Sequence, residues 1–583
     1  MKDFILVFKV LFRNQNARRI SASGKRKLPQ NVVTLLCMLP LALLMCVVFG
    51  LLAVIVPDAK TLSLVSNVVV SAVQLFALFT SMFTVMNTLY HSSDTPFLNT
   101  LPISHISVFF AKFSIAYLNM LLFIASFTVP TLLTVSIVYA AFGRAMFYGY
   151  FALIFLITIV APILPLFILT LFSMPISYIG SFFKGKSVLK TILALLFYVA
   201  IMVGYLLLVY YLGKDDDSEL DNIQMTGSAL AGLGVFAKVM YPNAVLIEFC
   251  LGIDAGKNFG ISVGITVGMI VVMLLLAMLF YRRINQRRLE TNNDCSHSAV
   301  SYKQSNSLVL SLMKKDFKDI MRNPSLAASS LATILMCPVI SAIMYFVSDM
   351  QTSNDAVPEY LNAILKLSYL VLYSLIFLAG TNGMAMIAYT REGHSFYLTK
   401  TLPISAKDSI RAKFALSIIP SGIILIVQTI IAIALYRLDV LSVILFLICM
   451  AFAIVGATAL LIYCDMRFGN VNWNTRQDLK QVSNANKGSL IVAFSAVGIG
   501  CIALVSGILL ATYAYQIGGK TVVLAVFWSV LFALTLAMLI AGILVLKFKA
   551  EPYYDLIGER KFSPKSGLIR GRANSGNGNT LMK

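Results

Sequence analysis

One segment of this sequence matches a pattern for nucleotide chemistry. Residues 180–187 read Gly-Ser-Phe-Phe-Lys-Gly-Lys-Ser, which satisfies the phosphate-loop pattern G-x-x-x-x-G-K-[ST]. That loop binds phosphate where a strand leads into it and a helix of an α/β domain leads out, so that backbone amides surround the phosphate. Here apolar segments of membrane-span length lie on both sides. We interpret the match as a basic loop that fits the pattern by chance.

Residues that bind metals or act as nucleophiles are few and scattered. The chain has eight cysteines and four histidines, and no two cysteines form a Cys-x-x-Cys pair. No Ser/His/Asp arrangement or metal-binding helix motif can be assembled from the remaining residues. We therefore predict no catalytic residue, no metal site and no cofactor in this chain, and we do not expect it to be an enzyme.

The composition predicts a membrane protein. Hydrophobic residues make up 59% of the chain and charged residues 12%, whereas about a quarter of the residues are charged in soluble proteins. Apolar runs of about 20 residues, long enough to cross a bilayer as helices, occur about six times in each half. We predict an all-α polytopic protein with about 12 transmembrane helices, at approximately 32–56, 62–90, 108–139, 148–173, 190–213, 260–281, 326–348, 361–389, 411–436, 440–464, 489–514 and 521–547.

The two halves of the chain repeat each other. The sequence Thr-Leu-Pro-Ile-Ser occurs at 100–104 and again at 401–405, and Ala-Lys-Phe follows with the same spacing at 111–113 and 412–414. Residues 8–14 likewise resemble 317–323. We predict two tandem six-helix repeats: a first half at 1–284 with an amphipathic N-terminal helix, a cytoplasmic linker at 285–306, a second half at 307–548 with its own amphipathic helix, and a basic, flexible tail at 549–583.

The charges predict the orientation in the membrane rather than a nucleic-acid partner. The net charge is +21, with Lys and Arg concentrated before the first span, after the sixth and in the tail, whereas alternate loops are acidic, as at 215–221. Basic flanks stay in the cytoplasm, so both termini are expected there. The longest outer segment, 214–259, is either a short helical hairpin that dips into the outer leaflet or an ordered loop.

Two amphipathic stretches precede the first span of each half. Phe4, Phe8 and Leu11 share one helical face, as do Phe317 and Ile320. Each stretch is expected to lie along the inner membrane surface, where it either braces the first span of its half or serves only as an anchor.

The spans carry almost no acidic residues near their centres. A carrier driven by protons or sodium usually keeps such residues inside its helices. The main polar residues are amides, for which hydrogen bonding between helices is a sufficient explanation; they are Asn67, Gln74, Asn87, Asn119, Asn382 and Gln428. The energy for any work that the protein does is therefore expected to come from elsewhere.

The repeated segments between the second and third span of each half could receive that energy. We call 94–104 and 394–405 the lever segments. Proline disfavours helix at the preceding leucine, and Ser405 with Asp408 forms a capping box that starts the next helix. Each lever segment is thus expected to be a short helix beneath the membrane or, alternatively, only a tight turn. The predicted contacts to such an external source of energy are Phe97, Leu98, Leu101, Pro102, Tyr397, Leu398, Leu402 and Pro403.

Residues 391–405 resemble the cytoplasmic segment of bacterial ABC exporter permeases of the ABC-2 type, in the long form with two fused six-span halves. Residues 465–481 are similar to the loop after the tenth span of that group, which implies a coupling role for Asp465, Trp473 and Lys480. The first half departs from the family, because 180–190 contains no matching Trp or Lys-Gln element.

The resemblance implies a permease subunit in the bacterial plasma membrane that exports its substrate. Two copies of a separate cytoplasmic ATPase would bind Mg-ATP and dock on the two halves. The cargo is not identified, although an amphipathic, peptide-like or lipid-like molecule would suit an apolar cavity. A twelve-span secondary transporter is the first alternative, and a membrane-embedded enzyme acting on lipid-linked substrates is the second.

Overall fold

The computed structural model describes residues 2–15, 101–141, 150–182, 241–250, 255–291, 307–322, 359–469, 471–473, 487–513 and 515–557, together with isolated positions at 46, 66–98, 192–204 and 327–345. All regular secondary structure within these residues is helical, which confirms the all-α prediction.

The helices of the first half are α1 (Lys2–Gln15), α2 (His105–Ala141), α3 (Tyr150–Val160), α4 (Ile163–Phe182), α5 (Tyr241–Cys250) and α6 (Ala255–Thr291). Those of the second half are α7 (Leu308–Arg322), α8 (Glu359–Ser374), α9 (Gly383–Met386), α10 (Ser395–Thr401), α11 (Ala406–Ala434), α12 (Val440–Phe468), α13 (Lys487–Tyr513) and α14 (Tyr515–Leu556). A π-helical turn at Leu375–Gly380 continues α8, and a 3₁₀ turn at Thr390–Glu392 precedes α10.

Seven stretches of the described residues are long and apolar enough to cross a membrane, and they coincide with seven of the predicted spans. They are His105–Val138, Ile154–Ile179, Gly256–Met273, Lys366–Met386, Ala406–Ala434, Val440–Phe468 and Val522–Tyr554. A shorter apolar helix, Ile491–Gly507, lies in the predicted eleventh span. The predicted spans at 32–56 and 190–213 fall almost wholly outside the described residues, and those at 62–90 and 326–348 are described only at isolated positions.

Helix α11 shows how these spans are organised. Its exposed face is a stripe of isoleucines at helical spacing: Ile419, Ile423, Ile426, Ile430 and Ile433. The opposite face is buried and is small or polar, with Ser417, Ser421 and Gln428. Since lipid tails are as apolar as isoleucine, the helices associate through close packing and hydrogen bonds between their inner faces.

The amides of the spans make the hydrogen bonds expected of them. Asn382 caps α9 by accepting bonds from the backbone of Met384 and Ala385, and its Nδ2 donates to the carbonyl oxygen of Ser417 at 3.0 Å. In the first half, Gln74 donates to the carbonyl oxygen of Ala161 at 2.6 Å. These amides join neighbouring helices and need no ligand to satisfy them.

The backbones of helices α12 and α14 are in direct contact at a pair of glycines. A Cβ atom on Gly456 would lie 2.6 Å from the carbonyl oxygen of Met538, and one on Gly542 would collide with the backbone of Gly456. Only glycine permits backbones to approach this closely. The contact fixes α14 against α12, and both helices continue to the lever segment of the second half.

Two of the predicted domain boundaries cut through helices. Helix α6 continues to Thr291 and so includes the start of the segment assigned to the linker, because the arginines after the sixth span favour helix. Helix α14 likewise continues beyond 549 to Leu556 and ends among buried residues, so the first part of the predicted tail is ordered structure.

The outer segment 214–259 is described only at its second part. There, α5 is a helix that packs against α3 and α6. Val245, Leu246 and Ile247 are buried, and Asn258 donates a hydrogen bond to Glu248 at 3.2 Å. This part is therefore a packed helix rather than a loop, whereas 214–240 lies outside the described residues.

Candidate functional site

The Thr-Leu-Pro-Ile-Ser sequences form the same turn in both halves. The amide of Ile103 donates to the carbonyl oxygen of Leu101 at 2.7 Å, and Ile404 donates to Leu402 at the same distance. This three-residue turn has proline at its centre, where a fixed φ favours it. Helices α2 and α11 start directly afterwards. Ser405 Oγ accepts a bond from the amide of Asp408 at 3.1 Å, which confirms the predicted cap.

In the second half, the turn is preceded by the predicted short helix, α10. Its inner face carries Phe396 and Thr399, which are buried. Its outer face carries Tyr397 and Leu398, and the turn adds Leu402; their exposed fractions are 42%, 69% and 55%. We call Tyr397, Leu398 and Leu402 the apolar patch. A surface helix normally presents polar residues outward, so the apolar patch is a candidate contact for another protein.

A buried cluster of charges holds α10 in place. Lys413 Nζ lies 3.1 Å from Asp316 Oδ2 and also contacts Glu392 Oε1, while Arg391 Nη2 lies 3.0 Å from the same Asp316 oxygen. All four side chains are at most 6% exposed. Lys413 additionally donates to the carbonyl oxygen of Ala388 at 2.9 Å, so its three protons are all used. We call these four residues the ion cluster.

The ion cluster joins three elements that are far apart in the sequence. Asp316 belongs to the amphipathic helix α7, Lys413 to the span α11, and Arg391 and Glu392 to the turn that leads into α10. Lys315 adds a second link from α7, because it donates to Thr399 of α10 at 3.1 Å. A movement of α10 would therefore be passed to both α7 and α11.

Asp316 is ionised at neutral pH. Burial by itself would raise the pKa of the Asp316 carboxyl, but Lys413 and Arg391 beside it outweigh that effect and hold the pKa below its usual value. A carboxyl group with a lowered pKa stabilises the fold above its unfolded pKa, about 3.9, and this contribution is lost as the pH falls through the lowered value. The charge of Asp316 therefore does not change near neutral pH.

Asp465 binds the backbone at the start of the same turn. Its Oδ2 accepts bonds from the amides of Tyr389 at 2.6 Å and Thr390 at 3.0 Å, and its Oδ1 accepts a bond from the hydroxyl of Thr390. The indole Nε1 of Trp473 donates to the carbonyl oxygen of Thr390 at 2.7 Å. The end of α12 and the loop after it thus hold Thr390 from both sides.

Gly393 is required where the turn passes beneath Trp473. Its φ is +56°, a conformation that side chains rarely adopt, and a Cβ atom there would lie 2.9 Å from Cζ2 of the Trp473 ring. Both the backbone angle and the space therefore favour glycine. The path from Thr390 to α10 is consequently fixed by local conformation as well as by the ion cluster.

Aromatic rings from three helical regions pack behind α10. Tyr389, Phe396 and Tyr554 lie edge to face, with ring centroids 5.5 to 6.1 Å apart. Tyr554 comes from the end of α14, within the stretch that the sequence assigned to a flexible tail. This contact gives the end of α14 a structural role at α10.

The first half builds its lever segment differently. Leu98 is buried in an apolar cluster with Val7 of α1 and Val108 of α2, whereas Phe97 is 66% exposed. The constant spacing of the repeat aligns Phe97 with Leu398 and Leu98 with Thr399, and these pairs agree in burial. Leu98 is therefore not available for a surface contact as predicted, because it fixes the segment to α1.

The residue types of the ion cluster are kept only in part at the positions that the repeat aligns in the first half. The repeat aligns Lys112 with Lys413, and both lysines are buried. It places Val7 where the second half has Asp316, and Tyr90 where it has Arg391. Among the described residues of the first half, the apolar cluster around Leu98 joins the lever segment to α1 and α2.

The structure brings together most of the second-half residues proposed from the sequence. Asp465 and Trp473 meet at Thr390, Tyr397 donates to Asn472 at 2.9 Å, and Leu398 lies on the exposed face. Pro102 and Pro403 are exposed within the two turns, whereas Leu101 is half-buried against α1. Lys480 lies outside the described residues. Sequence reasoning missed the ion cluster; its clearest signal was Lys413, a lysine in a repeated motif inside an apolar span.

The phosphate-loop match is preceded by helix rather than strand. Its first three residues, 180–182, are the last residues of α4, and the rest of the match lies outside the described residues. Because the phosphate loop follows a strand, this lead-in differs from the one the pattern requires.

Replacement of Asp465 by asparagine is expected to destabilise the turn by about 1–3 kcal/mol, since the amide cannot accept all the bonds that the carboxylate accepts. Thermal unfolding of the purified protein in detergent measures the change. Asp439→Asn is the matched control, because Asp439 is exposed at the other end of α12 and makes no side-chain cap bond. Equal melting temperatures for the two variants would contradict the role assigned to Asp465.

The family model described as "Membrane protein of 12 TMs" matches residues 28–549. The chain therefore belongs to this family of twelve-span membrane proteins, which confirms the predicted span number and the multi-pass location. No curated protein and no solved structure matches the chain.

Proposed function

We propose that this twelve-span protein is the permease subunit of an ATP-binding cassette exporter. The observation that carries the proposal is the apolar patch on α10, which is exposed on one side and fixed on the other to α7, α11 and α12. A surface of this kind can receive a push from an ATPase and pass it to the spans. The resemblance of residues 391–405 and 465–481 to ABC-2 permeases supports the same function.

Two copies of the ATPase are proposed to dock, one on each half. Phe97 and Leu398 occupy equivalent positions of the repeat and are similarly exposed, so each half offers one apolar contact at the same place. Asp465 and Trp473 are proposed to hold the second contact in position rather than to touch the ATPase directly. The substrate is proposed to be amphipathic, peptide-like or lipid-like, because the spans are apolar and carry few charges.

A secondary transporter remains the runner-up, and a membrane-embedded enzyme is third. The described amides favour neither alternative, because Asn382, Gln428 and Gln74 have partners within the protein. Transport that continues after ATP is depleted would favour the carrier.

The purified chain alone is expected to hydrolyse no ATP, and Lys186→Ala is expected to leave the ATPase activity of the complex within about twofold of the original. The reason is that nucleotide would bind to the partner subunits, which carry their own phosphate loops. A coupled assay of phosphate release with Mg-ATP measures both quantities. Hydrolysis by the isolated chain that disappears in Lys186→Ala would overturn the proposal.

Both termini are proposed to lie in the cytoplasm of a bacterial cell. In a chain without its native cysteines, Asp216→Cys and Asp355→Cys are expected to react with a membrane-impermeant maleimide added to intact cells, because acidic loops are expected outside. The native Cys295 should react only after the cells are opened. Labelling of Cys295 in intact cells would show the opposite orientation.

A further inference from the structure

We propose that α7 and α1 each bind an anionic phospholipid of the leaflet on which the lever segments lie. This proposal concerns the outward faces of the two amphipathic helices and does not depend on an ATPase partner. Its basis is the depth of α7 in the membrane together with the pattern of exposed residues on both helices.

The ion cluster defines the depth of α7. Helix α11 has 29 residues and is therefore about 44 Å long, whereas the hydrocarbon core is about 30 Å thick. Its far end is marked by Arg437 and Asp439, which follow Ala434. Counting about 20 residues back from Ala434 places the near boundary of the hydrocarbon close to Lys413. Asp316, bonded to Lys413, is thus at the boundary, and so is the middle of α7.

The outward face of α7 combines exposed apolar and basic side chains, as expected at the boundary between the hydrocarbon core and the lipid head groups. Leu310 and Phe317 are 60% and 46% exposed, and Lys314 and Lys318 are exposed beside them. Lys314 lies four residues after Leu310, and Phe317 and Lys318 lie three and four residues after Lys314, so that all four share one face of the helix. Their apolar side chains can enter the acyl region while the ammonium groups reach the lipid phosphates. The nearby acid Asp319 lies about 100° around the helix from Lys318.

Helix α1 repeats this arrangement. Its inner face, with Val7, packs on the first lever segment, and its outward face carries exposed Leu6, Val10, Lys9 and Arg13. Lys9 and Val10 lie three and four residues after Leu6, and Arg13 lies four residues after Lys9, so that apolar and basic side chains again share one face. The repeat aligns Lys9 with Lys318 and Arg13 with Arg322. A purely structural anchor would need the apolar residues only, so the basic residues indicate a negatively charged lipid.

The test uses the full-length chain, purified without ATPase or nucleotide. The protein is titrated with phosphatidylglycerol or phosphatidylcholine, and native mass spectrometry counts the bound lipids. Every variant also carries Lys9→Gln and Arg13→Gln, so that only the site on α7 is measured. Lys314→Gln/Lys318→Gln is expected to weaken phosphatidylglycerol binding about 30-fold, since each lysine near an anionic surface favours binding about fivefold. Lys314→Arg/Lys318→Arg should keep the affinity.

The matched control is Lys407→Gln/Arg411→Gln, which removes two exposed charges from the start of α11 and should leave the affinity within about threefold. Equal losses in control and test variants would overturn the proposal, as would equally tight binding of phosphatidylcholine. Competition by soluble glycerophosphate would indicate a site for a free anion instead.

A second measurement does not depend on those substitutions. A spin label at Leu310→Cys in a bilayer nanodisc is expected to be relaxed more by oxygen than by a water-soluble nickel complex, because the residue enters the lipid. The reverse order would place this face of α7 in water and overturn the proposal. Since neither measurement involves ATP, their failure would leave the proposed transport function to be judged on its own test.

Discussion

Replacement of Lys413 by methionine is expected to destabilise the protein by about 3–5 kcal/mol, the cost of leaving buried charges without their partner. Methionine keeps most of the length of the side chain but provides no charge and no donor. Asp316 would retain Arg391, whereas Glu392 would lose its closest buried cation. The loss should appear as a lower melting temperature in detergent and as a smaller folded yield from membranes.

The control for this prediction lies two residues earlier on the same helix. Arg411 has a 73% exposed side chain and an ion pair with Asp408 at 3.6 Å, so Arg411→Met should change the stability by at most about 1 kcal/mol. Adding Asp316→Asn to Lys413→Met should recover part of the loss, because one acid then faces one base. A Lys413→Met protein as stable as Arg411→Met would show that the ion cluster does not hold the lever segment.

The double replacement Leu398→Asp/Leu402→Asp is expected to separate the chain from its proposed ATPase while leaving the fold intact. Both side chains are exposed in the isolated chain, so aspartate costs little there. In the complex, the carboxylates would be buried without partners at a cost of several kcal/mol, which corresponds to at least a hundredfold weaker association. Co-purification from native membranes, scored by Mg-ATP hydrolysis and by the phosphate-loop sequence of the bound subunit, measures the effect.

The matched control makes the same chemical change at the other end of the membrane. Val440 and Leu441 are 77% and 70% exposed at the start of α12, and Val440→Asp/Leu441→Asp should leave ATPase binding unchanged. In the first half, the corresponding variant is Phe97→Asp alone, because Leu98→Asp would place a charge inside the apolar cluster with Val7. Undiminished ATPase binding after Phe97→Asp, Leu398→Asp and Leu402→Asp are combined would contradict the docking proposal.

The two halves are expected to respond differently to such changes. In the second half, the lever segment is held by hydrogen bonds between charged side chains, which depend on distance and orientation, together with the bonds of Asp465 and Trp473 to Thr390. In the first half, Leu98 is held by apolar contacts with Val7 and Val108, which adapt more easily to small shifts. The second half is therefore the better place to look for variants that keep ATPase binding but lose coupling.

The sequence by itself determined the features that depend on neighbouring residues. Runs of apolar residues fixed the positions of the spans because a helix must satisfy its own backbone in lipid. Proline at 102 and 403 fixed the turns, and Ser405 fixed the start of α11 through a bond to a residue three positions later. The repeated Thr-Leu-Pro-Ile-Ser sequence indicates that both halves use the same turn, and the structure confirms it.

Only the tertiary structure decided which of these residues are buried and which meet. Asp316 and Lys413 are 97 residues apart, and the local pattern around each residue does not identify the other as its partner. Phe97 and Leu98 are both apolar neighbours in a short segment, yet one is exposed and the other buried, because α1 covers a single side. Tyr554 lies in a stretch that the sequence predicts to be a flexible tail, whereas the structure packs the end of α14 behind α10. Such contacts depend on the packing of separate helices, which local patterns of hydropathy and capping do not specify.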